Sequence, residues 1–69
     1  MDPKFPEPRN GRGNALSKKG DDNKAIIDYD EAIRLDPKFA PAYNDRGLVW
    51  YRKGDYDKAI ADYDEVVSI

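Results

Sequence analysis

Two stretches of this chain carry the same apolar stripe. Between Asp22 and Leu35, Ala25, Ile26, Tyr29, Ala32 and Ile33 fall at i, i+1, i+4, i+7 and i+8, the spacing of one face of a 3.6-residue helix. Between Asp57 and Ile69, Ala59, Ile60, Tyr63, Val66 and Val67 repeat it. Each stretch follows a Gly-Asp pair, Gly20-Asp21 and Gly54-Asp55; glycine suits the left-handed residue that ends one helix and aspartate the N-cap of the next. Asp36-Pro37 stops the first stripe, because proline restricts its predecessor and cannot continue a helix. Pro41 then sits at the first turn of a new helix, where a missing N–H costs nothing. In that helix Tyr43, Arg46, Gly47 and Trp50 share one face and Asn44, Leu48 and Tyr51 another. Asn10 to Lys19 reads as a weaker helix, since Gly11 and Gly13 each cost about 0.5–1 kcal/mol relative to alanine and only Ala15 and Leu16 are apolar. Pro3, Pro6 and Pro8 make residues 1–8 an extended, proline-rich tail. No strand alternation competes. The pattern predicts an all-α fold with helices near 9–19, 22–35, 41–53 and 56–68, paired as two antiparallel hairpins.

The two hairpins are copies of one unit. Asn44–Ile69 shifted back by thirty-four positions falls on Asn10–Leu35 without a gap, and thirteen pairs are identical. They include Arg12/Arg46, Gly13/Gly47, Gly20/Gly54, Asp21/Asp55, Ala25/Ala59, Ile26/Ile60, Asp28/Asp62, Tyr29/Tyr63 and Asp30/Asp64. A period of this size means stacked supersecondary units. The expected organisation is a tail over 1–8 and a two-repeat domain over 9–69, the repeats spanning 6–39 and 40–69, with no C-terminal capping helix.

Composition removes most chemistry. The 69 residues include no Cys and no His, which takes away disulfides, thiolate metal sites, the usual general base and the Ser-His-Asp arrangement. The acidic run Asp55, Asp57, Asp62, Asp64, Glu65 fails as a calcium loop: counting from Asp55, the sixth position is Ile60 and the twelfth Val66, where glycine and glutamate are needed. The reading is therefore of a non-enzyme with no cofactor and no metal. The N-terminus lacks the apolar core of a signal peptide, and no run approaches the roughly 18 apolar residues of a membrane span. With no cysteine, this makes a cytoplasmic protein the expectation. The net charge of −2 and pI near 4.9 argue against nucleic acid, whose binding domains are strongly basic. Charge is periodic all the same: Arg9, Arg12, Lys18, Lys19 and Arg46, Arg52, Lys53 precede the Gly-Asp turns, and acids dominate after them.

The chain resembles the tetratricopeptide repeat, a thirty-four-residue pair of antiparallel helices. In the second copy the resemblance rests on Tyr43, Gly47, Trp50, Gly54, Tyr56, Ala59, Ile60, Tyr63 and Val66. In the first it rests on Gly13, Leu16, Gly20, Ala25, Ile26, Tyr29, Ala32, Ile33, Leu35 and Pro37. It implies a right-handed α-solenoid piece and a protein-interaction module whose first helices line a concave surface for peptides. On that face lie Asn10, Asn14, Ser17 and Lys18, then Asn44, Leu48, Tyr51 and Arg52. The family's carboxylate clamp is incomplete here, with Asn10 in place of its lysine and Asp45 in place of its second asparagine, so binding of chaperone tails is not expected. Arg9 and Arg12 replace large apolar residues of the motif, and Val66 replaces a small one.

The expected partner is a protein or peptide, acidic if the basic first helices select it. The alternative is self-association: Ile60, Tyr63, Val66, Val67 and Ile69 form a bulky face that a homo-oligomer would bury, by docking or by swapping the last helix about Gly54-Asp55. A truncated or engineered minimal repeat with no ligand is the third possibility.

Overall fold

The computed structural model describes residues 5–69. It contains four helices, α1 (Pro6–Lys18), α2 (Asp22–Leu35), α3 (Ala40–Arg52) and α4 (Tyr56–Ser68), and no strand among the described residues. The all-α expectation holds. One boundary differs. Pro6, Glu7 and Pro8, placed by the sequence reading in an extended tail, form the first turn of α1. Proline is welcome there because the first-turn N–H groups have no partner inside the helix. The rest of that tail, residues 1–4, lies outside the described residues.

Both hairpin turns are built alike. Gly20 and Gly54 have φ of +90° and +84°, the left-handed region open to glycine. Gly20 N–H donates to the Ser17 carbonyl and Asp21 N–H to that of Leu16; Gly54 and Asp55 donate likewise to Tyr51 and Trp50. This paired closure satisfies the last carbonyls of α1 and α3. Asp55 then accepts from Lys58 N–H at the start of α4. Between the repeats, Asp36 folds the linker by accepting from Lys38 N–H through its side chain and from Phe39 N–H through its carbonyl.

α1 packs on α2, α3 on α4, and α2 on α3; α1 also touches α3, whereas α2 and α4 do not meet. The core joins the repeats: Ala25, Ile26 and Tyr29 of α2 surround Val49 of α3, with Leu16 and Trp50 against them. Val49 is only 1% exposed, so α3 buries a second face that the periodicity around Tyr43, Gly47 and Trp50 does not reveal. No helix among the described residues is long and apolar enough to cross a membrane.

Candidate functional site

The first helices cross their partners closely at glycine. A β-carbon at Gly13 would lie 2.7 Å from Cε1 of Tyr29, and one at Gly47 would lie 2.9 Å from Cε1 of Tyr63. Each ring thus packs directly on a bare backbone, which fixes how closely α1 and α3 approach their partners. Tyr29 is buried and donates its hydroxyl to Asn14 Oδ1 at 2.6 Å. Burial first, and then the charge of Asp45, pushes the Tyr29 phenol up to about 12. Tyr43 is shifted upward too, again mainly by burial, and donates to the Pro37 carbonyl at 2.9 Å.

Next to these glycines lies an ion pair repeated in both hairpins. Arg12 reaches across to Asp28 through Nε and Nη2, both at 2.8 Å. Arg46 holds Asp62 the same way, at 2.9 and 2.7 Å. Two parallel donors on one carboxylate are the strong, oriented form of this interaction. Asp28 and Asp62 are 3% and 4% exposed, although they belong to the acid-rich stretches that follow the Gly-Asp turns. Arg12, which stands where the motif has a large apolar residue, anchors α1 through this pair. Arg46 also gives Nη1 to Asp30 of the preceding repeat at 2.7 Å, and so ties three helices together. Its hydrogen bond with Asp62 raises its already high pKa, against the opposing effect of burial. Arg12/Arg46 and Asp28/Asp62 are all among the identical pairs, sixteen residues apart in each copy; that recurrence was the available signal.

The outward face of α1 and α3 divides into spent and open positions. Asn10 is buried and donates to Asp45 Oδ2 at 3.2 Å, with its Oδ1 unpartnered among the described residues. Arg52 is engaged by Ser17 and Asp22, and Lys53 donates to Asn23 at 3.0 Å. Four of the eight expected groove residues are therefore engaged within the chain: Asn10, Ser17 and Arg52 through these contacts, and Asn14 through the Tyr29 hydroxyl, which leaves its amide N–H groups free to donate. Asn14, Lys18, Asn44, Leu48 and Tyr51 remain exposed. The sequence reading missed Tyr56 as their neighbour: its ring lies tilted by 54° against that of Tyr51, the centres 5.3 Å apart.

The repeat geometry and the glycine–tyrosine crossings are those of one family, and a scan of family models agrees. The model described as "TPR repeat" matches residues 13–54, and the one described as "Tetratricopeptide repeat" matches residues 40–69. The chain belongs to the tetratricopeptide-repeat family. A search of curated proteins found no match. Tetratricopeptide repeats generally mediate protein–protein interaction and are generally not catalytic.

The self-association candidates lie on the far side of this tetratricopeptide-repeat pair, on α4. Ile60 is 55%, Val67 87% and Ile69 50% exposed, with Tyr63 and Val66 half-buried. In the first repeat the counterparts Ile26, Tyr29 and Ala32 are buried, because α3 covers them.

Proposed function

We propose that the chain is a non-catalytic module that binds an extended segment of a partner protein along the outward face of α1 and α3. The observation that carries this reading is the open row on that face: Leu48 and Tyr51, 50% and 58% exposed, flanked by Asn14, Lys18 and Asn44. Contact between α1 and α3 but not between α2 and α4 supports a stack that curves toward the first helices, with this row on its inner side. Asparagine amides offer both donor and acceptor to a peptide backbone. Leu48 and Tyr51 suit an apolar side chain of the partner, and Lys18 a carboxylate. Selection for strongly acidic partners is weakened by Arg12, Arg46 and Arg52, whose charges are met by Asp28, Asp62 with Asp30, and Asp22. The test is titration with extended peptides holding one leucine flanked by glutamates, by lysines or by serines, at low and high salt. The reading expects glutamate peptides to bind best with modest salt dependence. Equal, negligible binding by all three contradicts it.

A second reading is favoured by the exposed apolar residues of α4. Leaving such side chains in water forgoes roughly 1.5–3 kcal/mol each, so Ile60, Val67 and Ile69 support burial against another copy. The hairpin turns favour docking over helix exchange, since straightening at Gly54-Asp55 gives up the paired closing hydrogen bonds.

A further inference from the structure

The junction between the two repeats is a template for a junction between two molecules. Repeat one presents Ser17, Asp22, Asn23, Ile26, Tyr29 and Asp30, and repeat two answers with Arg46, Val49, Arg52 and Lys53. Moving the first group forward by the repeat length gives Tyr51, Tyr56, Asp57, Ile60, Tyr63 and Asp64. Moving the second group back gives Arg12, Ala15, Lys18 and Lys19.

We propose that copies of this chain stack head to tail, α4 of one against α1 of the next, in the register of the internal junction. This rests on the self-association reading above and gives it a geometry. Arg12 meets Asp64, Lys19 meets Asp57, Lys18 lies over the Tyr51–Tyr56 pair, and Ala15 packs on Ile60 and Tyr63.

Charge supports this register. Arg46 grips Asp62 through Nε and Nη2 and gives Nη1 to Asp30. Arg12 grips Asp28 through the same two nitrogens, and among the described residues its Nη1 makes no ion pair. Asp64, the counterpart of Asp30, is exposed and makes no ion pair among the described residues. Lys19 against Asp57 replaces the neutral contact of Lys53 with Asn23 by a charged one. Lys18 over two tyrosines, each 58% exposed, replaces Arg52 on Ser17 and Asp22. A lysine over an aromatic ring is already in use here: Lys58 Nζ lies 4.4 Å from the Trp50 ring centre.

Local sequence supports it as well. The linker that leads into α3, Asp36-Pro37-Lys38-Phe39, recurs letter for letter as Asp2-Pro3-Lys4-Phe5 ahead of α1. The approach to α1 is thus written like the approach to a following repeat.

Two losses make the contact weaker than the internal one. Ala15 fills less space than Val49, and the Asn10–Asp45 bond has Asn44 and Gly11 as its counterparts, which cannot pair. The association is reversible and runs past the dimer, because a head-to-tail contact leaves a free face at each end of a pair. A two-fold pairing of α4 on α4 is disfavoured by Asp57 and Asp64, since it brings carboxylates of one copy against those of the other.

Sedimentation over a wide concentration range at low and high salt tests this, on wild type, Lys19→Glu, Asp57→Lys and the double variant. Circular dichroism serves as the folding control. Wild-type mass is expected to rise steadily past the dimer and to fall with salt. Each single variant associates at least about tenfold more weakly, since like charges now face each other. The double variant regains association, because the two positions have exchanged charges and again attract. An equimolar mixture of the two single variants regains it as well: chains alternate, one junction keeping the native Asp57–Lys19 pair and the next joining the two altered positions, which also attract. A wild type that stays monomeric overturns both the self-association reading and this register. Association indifferent to the swaps, or a mass that stops at the dimer, overturns the register and leaves self-association standing.

Discussion

Gly13 and Gly47 occupy the same place in the two hairpins but do not face equally fixed rings. Tyr29 is 1% exposed and tethered to Asn14, whereas Tyr63 is half-buried. Gly13→Ala therefore forces a ring that cannot yield and costs about 1–3 kcal/mol of overpacking; Gly47→Ala costs less because Tyr63 can swing outward. Urea unfolding of the two variants compares them directly, and equal losses would show that the rings are equally mobile. The Arg46–Asp62 pair has its own arithmetic. Arg46→Leu alone leaves the buried Asp62 without its partner, at about 3 kcal/mol, and Asp62→Leu alone costs less because Arg46 keeps Asp30. Replacing both by leucine removes both desolvation penalties, so the double variant is expected to recover most of the loss in a double-mutant cycle. Tyr29 also sets an alkaline limit. The unfolded phenol releases its proton near 10.0, but the folded one holds it to about 12. Stability from this group is complete below pH 10 and is lost as pH rises toward 12, because only the unfolded state gains the phenolate there. Tyr29→Phe should flatten that part of the melting-temperature profile; Tyr43, shifted in the same direction, leaves a remainder.

At the scale of elements, α1 shows how packing overrides propensity. Two glycines and few apolar residues make it the poorest helix in the sequence, yet it runs from Pro6 to Lys18. Gly13 accepts the Tyr29 ring, Arg12 grips Asp28 and Arg52 of α3 bonds Ser17, so α1 is held by its neighbours. The two glycines then separate cleanly. A β-carbon at Gly11 meets nothing within 4 Å, so Gly11→Ala should stabilise the protein by about 0.5–1 kcal/mol through propensity alone. A thermal melt that shifts upward for Gly11→Ala and downward for Gly13→Ala confirms the division; two upward shifts would mean that the α1–α2 crossing is loose.

For the whole molecule, the repeat made the architecture legible. One period, two Gly-Asp turns and two apolar stripes were enough to place four helices, and glycine marked both crossings. Three things were hidden. Burial of Asp28 and Asp62 was obscured because aspartate reads as surface until its arginine is known to lie across the hairpin. Val49 was missed because α3 packs on two neighbours and a single stripe records only one. The start of α1 was misplaced because Pro6 and Pro8 fit an extended tail as well as a first turn. The face expected to bind was legible as a row of residues, but not which of them the chain uses itself: Asn10, Ser17 and Arg52 look as available as Leu48 and Tyr51 until inter-repeat contacts are seen. The central claim is that the open part of this row is the binding surface. Amide chemical-shift mapping with the glutamate-flanked leucine peptide tests it most directly, on wild type and on Leu48→Ala/Tyr51→Ala. That variant removes only exposed groups, so its stability should change little, by about 0.5 kcal/mol per site. The account predicts shifts clustered at Asn14, Lys18, Asn44, Leu48 and Tyr51, and about tenfold weaker binding by the variant. Shifts confined to α2 and α4, with variant affinity unchanged, would contradict it.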